Sequence, residues 1–394
     1  MNGGEINFSL FENKGNVDQI PKTKIVEAYG LQKCPRLVEQ VADDDIQVRV
    51  NALAVLCDEF KNPYVIQGCA QAGVIKVLAS MISDPDHTTR VRASRALNLA
   101  AADANGLESI LFDEAIQDIL QGMNDKSLQV RKNVYECLCH ATRTSAGVQA
   151  CVKAGVTVEF VAAVSSEEDE LKPALLKTIH NSCKIEEGLQ DALSAGATSI
   201  LIELLRSSAS SDVTLHAART LGFICFSDIA KERAIEDRGI AALIVLLKEC
   251  PTEETKVALT FALMAVTSTD AGKLQFCDAD GVSVLIQTLQ ESDRLVKLNV
   301  LKIISNVAVY PQARRELTLD TRGYDDASLL ALTTAMEDQG VSDYGNITRE
   351  VLPRTPHGDC VSLLRKLKTE ATDNGDQLLL KHTGIALNAV QWTP

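Results

Sequence analysis

Apolar and polar positions alternate along this chain with the period of a helix. The stretch Gly196 to Ala234 shows the design: GATSILIELLRSSASSDVTLHAARTLGFICFSDIAKERA. Ile200, Leu201, Leu204 and Leu205 recur at helical spacing, which places them on one helical face. A polar break runs from Ser207 to Asp212. Val213, Ala217, Leu221 and Ile224 then form a second stripe. Two short amphipathic helices cannot close a core alone, but a stack of such units can.

The same unit recurs. Its openings fall, almost evenly spaced, at Gly73, Glu114, Gly155, Gly196, Gly239 and Gly281. Each is followed by an apolar pair: Val77-Leu78, Ile119-Leu120, Phe160-Val161, Leu204-Leu205, Leu246-Leu247 and Leu285-Ile286. Glycine suits the opening because it adopts positive φ and lets successive helices approach at a sharp turn. A period near 42, with two long amphipathic helices and a short one, fits armadillo or HEAT units; tetratricopeptide and ankyrin units are shorter. The Gly-apolar opening and the A-x-x-A-L style of the third helix resemble the armadillo family over about residues 34 to 320. The expected fold is all-α: an armadillo-repeat right-handed superhelix, or α-solenoid, with irregular terminal caps.

The pattern divides the chain in three. Residues 1–22 are polar, with Gly3, Gly4, Gly15 and Pro21, and read as a flexible arm in which Phe8, Leu10 and Phe11 offer a means of draping over a partner. Residues 23–320 hold about seven repeats, with a break and a helix N-cap expected at Asp43 to Asp45. Residues 321–394 read as a degenerate terminal repeat and cap. An exposed loop is expected at about 338–359, where Gly340, Gly345, Pro353, Pro356 and Gly358 cluster. Leu378 to Val390 closes the array, and Trp392 is expected to cover its open end.

Composition sharpens this picture. Of 394 residues 46% are apolar but only 4% aromatic, which suits close helix stacking better than a sheet. The net charge is −14, so the chain lacks the basic excess of a nucleic-acid binder, and protein partners are expected instead. The 11 cysteines are odd in number and include no C-x-x-C pair. Cys57, Cys137, Cys183, Cys225 and Cys277 lie in apolar stripes, as reduced core residues of a cytosolic-type compartment do. The N-terminus has no signal-peptide pattern and no myristoylation glycine, and no apolar run approaches ~18 residues, so no membrane contact is expected.

Candidate chemistry centres on one register. Aligning the repeats puts Asp58, Leu99, His140, Asn181, Phe223, Met264 and Asn306 at the same place on successive third helices, the elements that line the concave face of an armadillo stack. In peptide-carrying members such as importin-α-like and catenin-like proteins this place is mostly asparagine, whose amide pairs with the backbone of an extended peptide. Only Asn181 and Asn306 match. Leu99, Phe223 and Met264 cannot make those bonds, and the flanking tryptophans of import carriers are absent. Nuclear import is therefore disfavoured. The mixed, apolar ladder suits an amphipathic helix or a permanently docked segment, although such side chains also serve simply to fill a concave surface. Cys137, Cys139 and His140, and His180 with Cys183, are too few at workable spacing for a metal site. No phosphate loop, HExxH or GxSxG occurs, so neither enzyme activity nor a cofactor is expected. The carboxylates Glu167 to Glu170 and the serine-rich turn Ser207 to Asp212 read as solvated breaks between helices, the former favourable to a helix dipole.

Two stretches narrow the resemblance. One is Ala52-Leu53-Ala54-Val55-Leu56-Cys57-Asp58-Glu59-Phe60 with Asn62-Pro63, preceded by Ala28-Tyr29-Gly30-Leu31 and Pro35-Arg36-Leu37. The other is Leu298-Asn299-Val300-Leu301-Lys302 with Asn306-Val307-Ala308 and Pro311-Gln312-Ala313-Arg314-Arg315. Both resemble the armadillo-repeat radial spoke head proteins of motile cilia and flagella, the family of the rhabdoid tumour deletion region protein. The insertion at 338–359 departs from that family's compact C-terminus. The resemblance implies a non-enzymatic scaffold of the axonemal radial spoke. It would sit in the cytoskeleton of the cilium or flagellum, hold other radial spoke proteins in its concave groove and support motility. The alternative is a cytosolic armadillo adaptor that binds exchangeable peptides in signalling or trafficking.

Overall fold

A computed structural model describes residues 30–207, 210–250, 252–291, 294–318 and 360–391. The N-terminal arm, the 338–359 insertion and Trp392 lie outside the described residues. Every described element is helical, and the chain forms two compact units that meet in sequence between Thr157 and Val158.

The first unit is built on three third helices: α1 (Ile46–Glu59), α2 (His87–Ala102) and α3 (Leu128–Ala141). Shorter pairs lie between them, Pro63–Gln71 with Val74–Ser80 and Ala104–Phe112 with Ile116–Leu120. The second unit repeats the plan on α4 (Lys172–Ser182), α5 (Ser211–Ile224), α6 (Glu253–Val266) and α7 (Arg294–Val307). It ends on α8 (Cys360–Asp373) and α9 (Gln377–Gln391). Within each unit consecutive third helices pack side by side, and α9 lies against both α7 and α8.

The core follows the apolar stripes. Ala52, Leu53 and Leu56 of α1 and Ala93, Ala96, Leu97 and Ala100 of α2 are fully buried, as are Ala217, Leu221 and Ile224 of α5. Each buried leucine contributes roughly 1.5–3 kcal/mol, and the intervening alanines let the helices approach. Starts are fixed by short acceptors: Asp45 caps α1 through the Gln47 N–H at 2.9 Å, and Asp86 caps α2 through the Thr89 N–H at 2.7 Å.

Arginines at matching places in successive repeats tie the loops before these helices. Arg49 Nη1 donates to the carbonyls of Asp43 and Asp44, and Arg90 Nη1 donates to that of Asp84 at 2.9 Å. Each also reaches the next repeat's loop: Arg49 pairs with Asp84 at 3.4 Å and Arg90 with Asp125 at 2.6 Å. Burial alone would raise the Asp125 pKa. The Arg90 hydrogen bond and charge, with the Ser127 N–H, outweigh it and hold the carboxyl below its ordinary value.

The turn between the first two helices of each repeat corrects the expected register. Positive φ occurs at Gly73, Glu114, Gly155 and Gly196, but then at Arg238 and Asp280 rather than Gly239 and Gly281. The turn position therefore recurs more evenly than the openings read from the sequence. Gly239 and Gly281 are helical and are small for a different reason. A Cβ on Gly239 would stand 2.9 Å from Ile202 Cδ1 and 3.0 Å from the Ala234 carbonyl, and one on Gly281 would stand 2.5 Å from the Phe276 ring. Nothing lies within 4 Å of a Cβ built on Gly73, Gly155 or Gly196, so backbone conformation alone calls for glycine there.

Candidate functional site: the third-helix face

In the first unit the ladder position lies near the ends of α1, α2 and α3. Asp58 is exposed and accepts a bond from Lys61 Nζ at 3.2 Å. Leu99 is half-buried on α2. His140 is half-buried on α3, with its Nδ1 3.4 Å from Arg143 Nη1. Burial, then the Arg143 charge, lower its pKa, while Glu136 opposes them.

In the second unit Asn181, Phe223, Met264 and Asn306 are all half-buried on α4 to α7. Asn181 Oδ1 accepts a bond from Lys184 Nζ at 2.7 Å, and the Asn306 amide donates to Thr267 Oγ1 at 3.5 Å. Both ladder asparagines are thus engaged within the chain. Phe223 is the hub of an aromatic row. Its ring meets His180 edge-on at 5.1 Å and Phe226 at 6.5 Å, and Phe226 lies 5.7 Å from Phe261 of α6. Phe226 keeps 60% of its surface exposed. The row depends on Gly222, because a Cβ there would stand 2.5 Å from Phe261 Cδ1.

Cations surround this row. Lys177, one turn before Asn181, is exposed and enters no ion pair among the described residues. Arg219, one turn before Phe223, meets Glu254 at 3.0 Å on the surface. His180 and His216 are pushed down to about 4. Burial is the main cause, joined by Lys184 and Arg219 at His180 and by Lys177 and Arg219 at His216, so both imidazoles are neutral at pH 7.

The ladder residues therefore sit where the register predicts, on neighbouring helices within each unit. Only Phe223 joins a cluster of side chains. The alignment missed Phe226, Phe261, Gly222 and the residues one turn before the ladder. That last row reads Arg95, Lys177, Arg219 and Lys302 in four of the seven repeats, and a one-turn step along the same helical face would have found it. Buried cysteines are poor nucleophiles: burial raises Cys57 to about 11 and Cys183 to about 12. Among the described residues no three His, Cys, Asp or Glu side chains converge as metal ligands, and no single helix is long and apolar enough to cross a membrane.

Three-helix repeats, stacked within each unit, give an all-α armadillo-repeat fold. Solved structures agree on the fold. An engineered protein superposes with a TM-score of 0.72 over 92% of this chain and 79% of its own, at 21% identity. A computationally designed armadillo repeat protein for modular peptide recognition superposes at 0.55 over 59% of this chain and 99% of its own, at 24% identity. The resemblance to armadillo radial spoke proteins is matched by sequence. The chain is 24% identical over 339 residues to Radial spoke protein 14 of Chlamydomonas reinhardtii, covering 80% of this chain and 85% of that protein. No family model matches the chain.

Proposed function

We propose that this chain is a non-enzymatic scaffold subunit of the axonemal radial spoke, holding other spoke proteins on its third-helix face and supporting ciliary motility. The carrying observation is the similarity to Radial spoke protein 14, which extends along 80% of the chain rather than one repeat. The ladder supports a lasting contact. Leu99, Phe223 and Met264 are apolar, and Asn181 and Asn306 already bond within the chain, which leaves little of the regular amide ladder that an exchangeable-peptide adaptor uses. A tagged chain expressed in motile, ciliated cells is expected to stay with the axoneme after detergent extraction. Its deletion is expected to remove spoke proteins and alter beating. Release with soluble protein, or a deletion that leaves intact spokes and normal beating, would favour the cytosolic adaptor.

A further inference from the structure

We infer that the aromatic and cationic patch on α4, α5 and α6 is a docking seat for an acidic protein segment carrying one aromatic side chain. The inference rests on reading the third-helix face as the partner surface, and it names the chemistry of the partner there.

Three observations carry it. First, the aromatic row is built rather than incidental. Phe261 can lie beside α5 only because Gly222 has no Cβ, and Phe226, between Phe223 and Phe261 in the row, is a large apolar ring left 60% exposed. An exposed phenylalanine within such a row presents open ring surface to an incoming ring. Second, cations outnumber carboxylates beside these histidines, with Lys177, Lys184 and Arg219 set against Asp212 and Glu254. Lys177 is unpaired among the described residues, Lys184 bonds an amide rather than a carboxylate, and Arg219 meets only a surface glutamate. These cations stand on a chain of net charge −14, so the patch is opposite in sign to the molecule that carries it. Third, His180 Nδ1 is buried beside Phe223 with no hydrogen-bond partner among the described residues. That nitrogen is shielded from solvent, so its unmet capacity is a local cost that a donor reaching it on docking would offset.

Together these features select carboxylates for the rim and an aromatic ring for the centre. The negative remainder of the chain repels acidic segments elsewhere and so gives register as well as affinity. A neutral apolar helix would leave the cations unanswered, and a purely acidic tail would leave the row uncovered.

The purified full chain would be titrated, by fluorescence polarisation, with the fluorescein-labelled peptide EEEDFDEEE. Controls are QQQNFNQQQ, which lacks the charge, and EEEDADEEE, which lacks the ring. The acidic aromatic peptide is expected to bind at least about tenfold more tightly than either control and to weaken as salt rises. Phe226→Ala and Lys177→Glu, both at exposed positions, are expected to keep the wild-type circular dichroism melt and each to remove that preference. Equal binding of the three peptides would overturn the inference, as would wild-type binding by either variant or displacement of the probe by poly-U RNA at matched charge. Concentration-dependent self-association abolished by Phe226→Ala would assign the seat to a second copy and overturn it too. The axoneme experiment separates the two proposals. If the wild type and both variants are retained alike and no peptide preference is seen, this seat fails while the spoke reading stands. If the preference is seen but the wild type is not retained, the spoke reading fails and the seat stands.

Discussion

Gly196 and Gly239 look alike in sequence, yet they are glycine for different reasons, and substitution separates them. At Gly196 φ is +79° and an added Cβ meets nothing within 4 Å. Gly196→Ala therefore costs only the left-handed backbone, roughly 1–2 kcal/mol. Gly196→Asn costs less, because asparagine tolerates that region. Gly239 is the first residue of a helix, and its Cβ would meet Ile202 Cδ1 at 2.9 Å and the Ala234 carbonyl at 3.0 Å. Gly239→Ala and Gly239→Asn both overpack this contact, at about 1–3 kcal/mol. Ile202→Val removes the nearest atom, so combining it with Gly239→Ala should cost less than the sum of the single changes. Arg238 holds the turn at φ +53°, so Arg238→Gly should be neutral or stabilising by up to about 1 kcal/mol. Urea unfolding followed by far-ultraviolet circular dichroism measures all of these. If Gly239→Asn were tolerated as well as Gly196→Asn, while Arg238→Gly destabilised, the turn would sit at Gly239 after all and a turn at Arg238 would be refuted.

Other expectations follow from named contacts. Asp125→Asn should destabilise the first unit by about 1–3 kcal/mol, because it removes the carboxylate from a mostly buried Arg90. Since the folded pKa of Asp125 is depressed, its contribution is full above about pH 4 and fades as pH falls further, so the wild type should lose this advantage over the Asn variant in acid melts. His180 titrates near 4 in the fold against ~6.5 in the unfolded chain, so the unfolded chain binds the extra proton as pH drops. Stability should thus fall between about pH 6.5 and 4 by up to about 3 kcal/mol from this residue, and His180→Gln should flatten that part of the pH profile of urea midpoints. With Ellman's reagent at pH 8, the half-buried Cys34, Cys139 and Cys250 should react in the folded protein, whereas the remaining, buried thiols should react only on unfolding. Prompt reaction of all 11 would contradict the packing.

The fold was legible because repetition multiplies a weak signal. One stripe such as Val213, Ala217, Leu221 and Ile224 is ambiguous, but six openings at nearly constant spacing are not. The register failed at Gly239 and Gly281 because a glycine that avoids a clash and a glycine that bends a turn are the same letter. Only the neighbouring Ile202 and Phe276 tell them apart, and nothing in the local pattern marks them as neighbours. Arg49 and Arg90 recur at the repeat spacing, and so does Arg131, whose Nη1 donates to the Asp125 carbonyl at 3.1 Å, but apolar periodicity alone does not mark them. The aromatic row was hidden for a related reason. Phe223 lies in the ladder, whereas Phe226 stands in the turn after α5 and Phe261 on another row of α6, and only the packing of α5 against α6 brings them together.

Charge on the third helices of the second unit bears on why an acidic chain would keep cations on one face. Lys177, Arg219 and Lys302 recur one turn before the ladder, each where a partner laid along that face would find it. A uniformly acidic molecule repels acidic partners from every side, and a uniformly basic one attracts polyanions without discrimination. Cations gathered in one row of an otherwise negative chain do neither: attraction is local and the approach is oriented. The apolar ladder then supplies burial that salt does not screen, so an encounter guided by charge ends in a contact held by packing. That division suits a subunit that assembles once and stays, and it predicts that charge reversal at Lys177 should slow association more than it speeds release, whereas Phe226→Ala should do the opposite. Stopped-flow binding of the acidic aromatic peptide reads both rates, and equal effects of the two variants on both rates would show that charge and ring do not act separately.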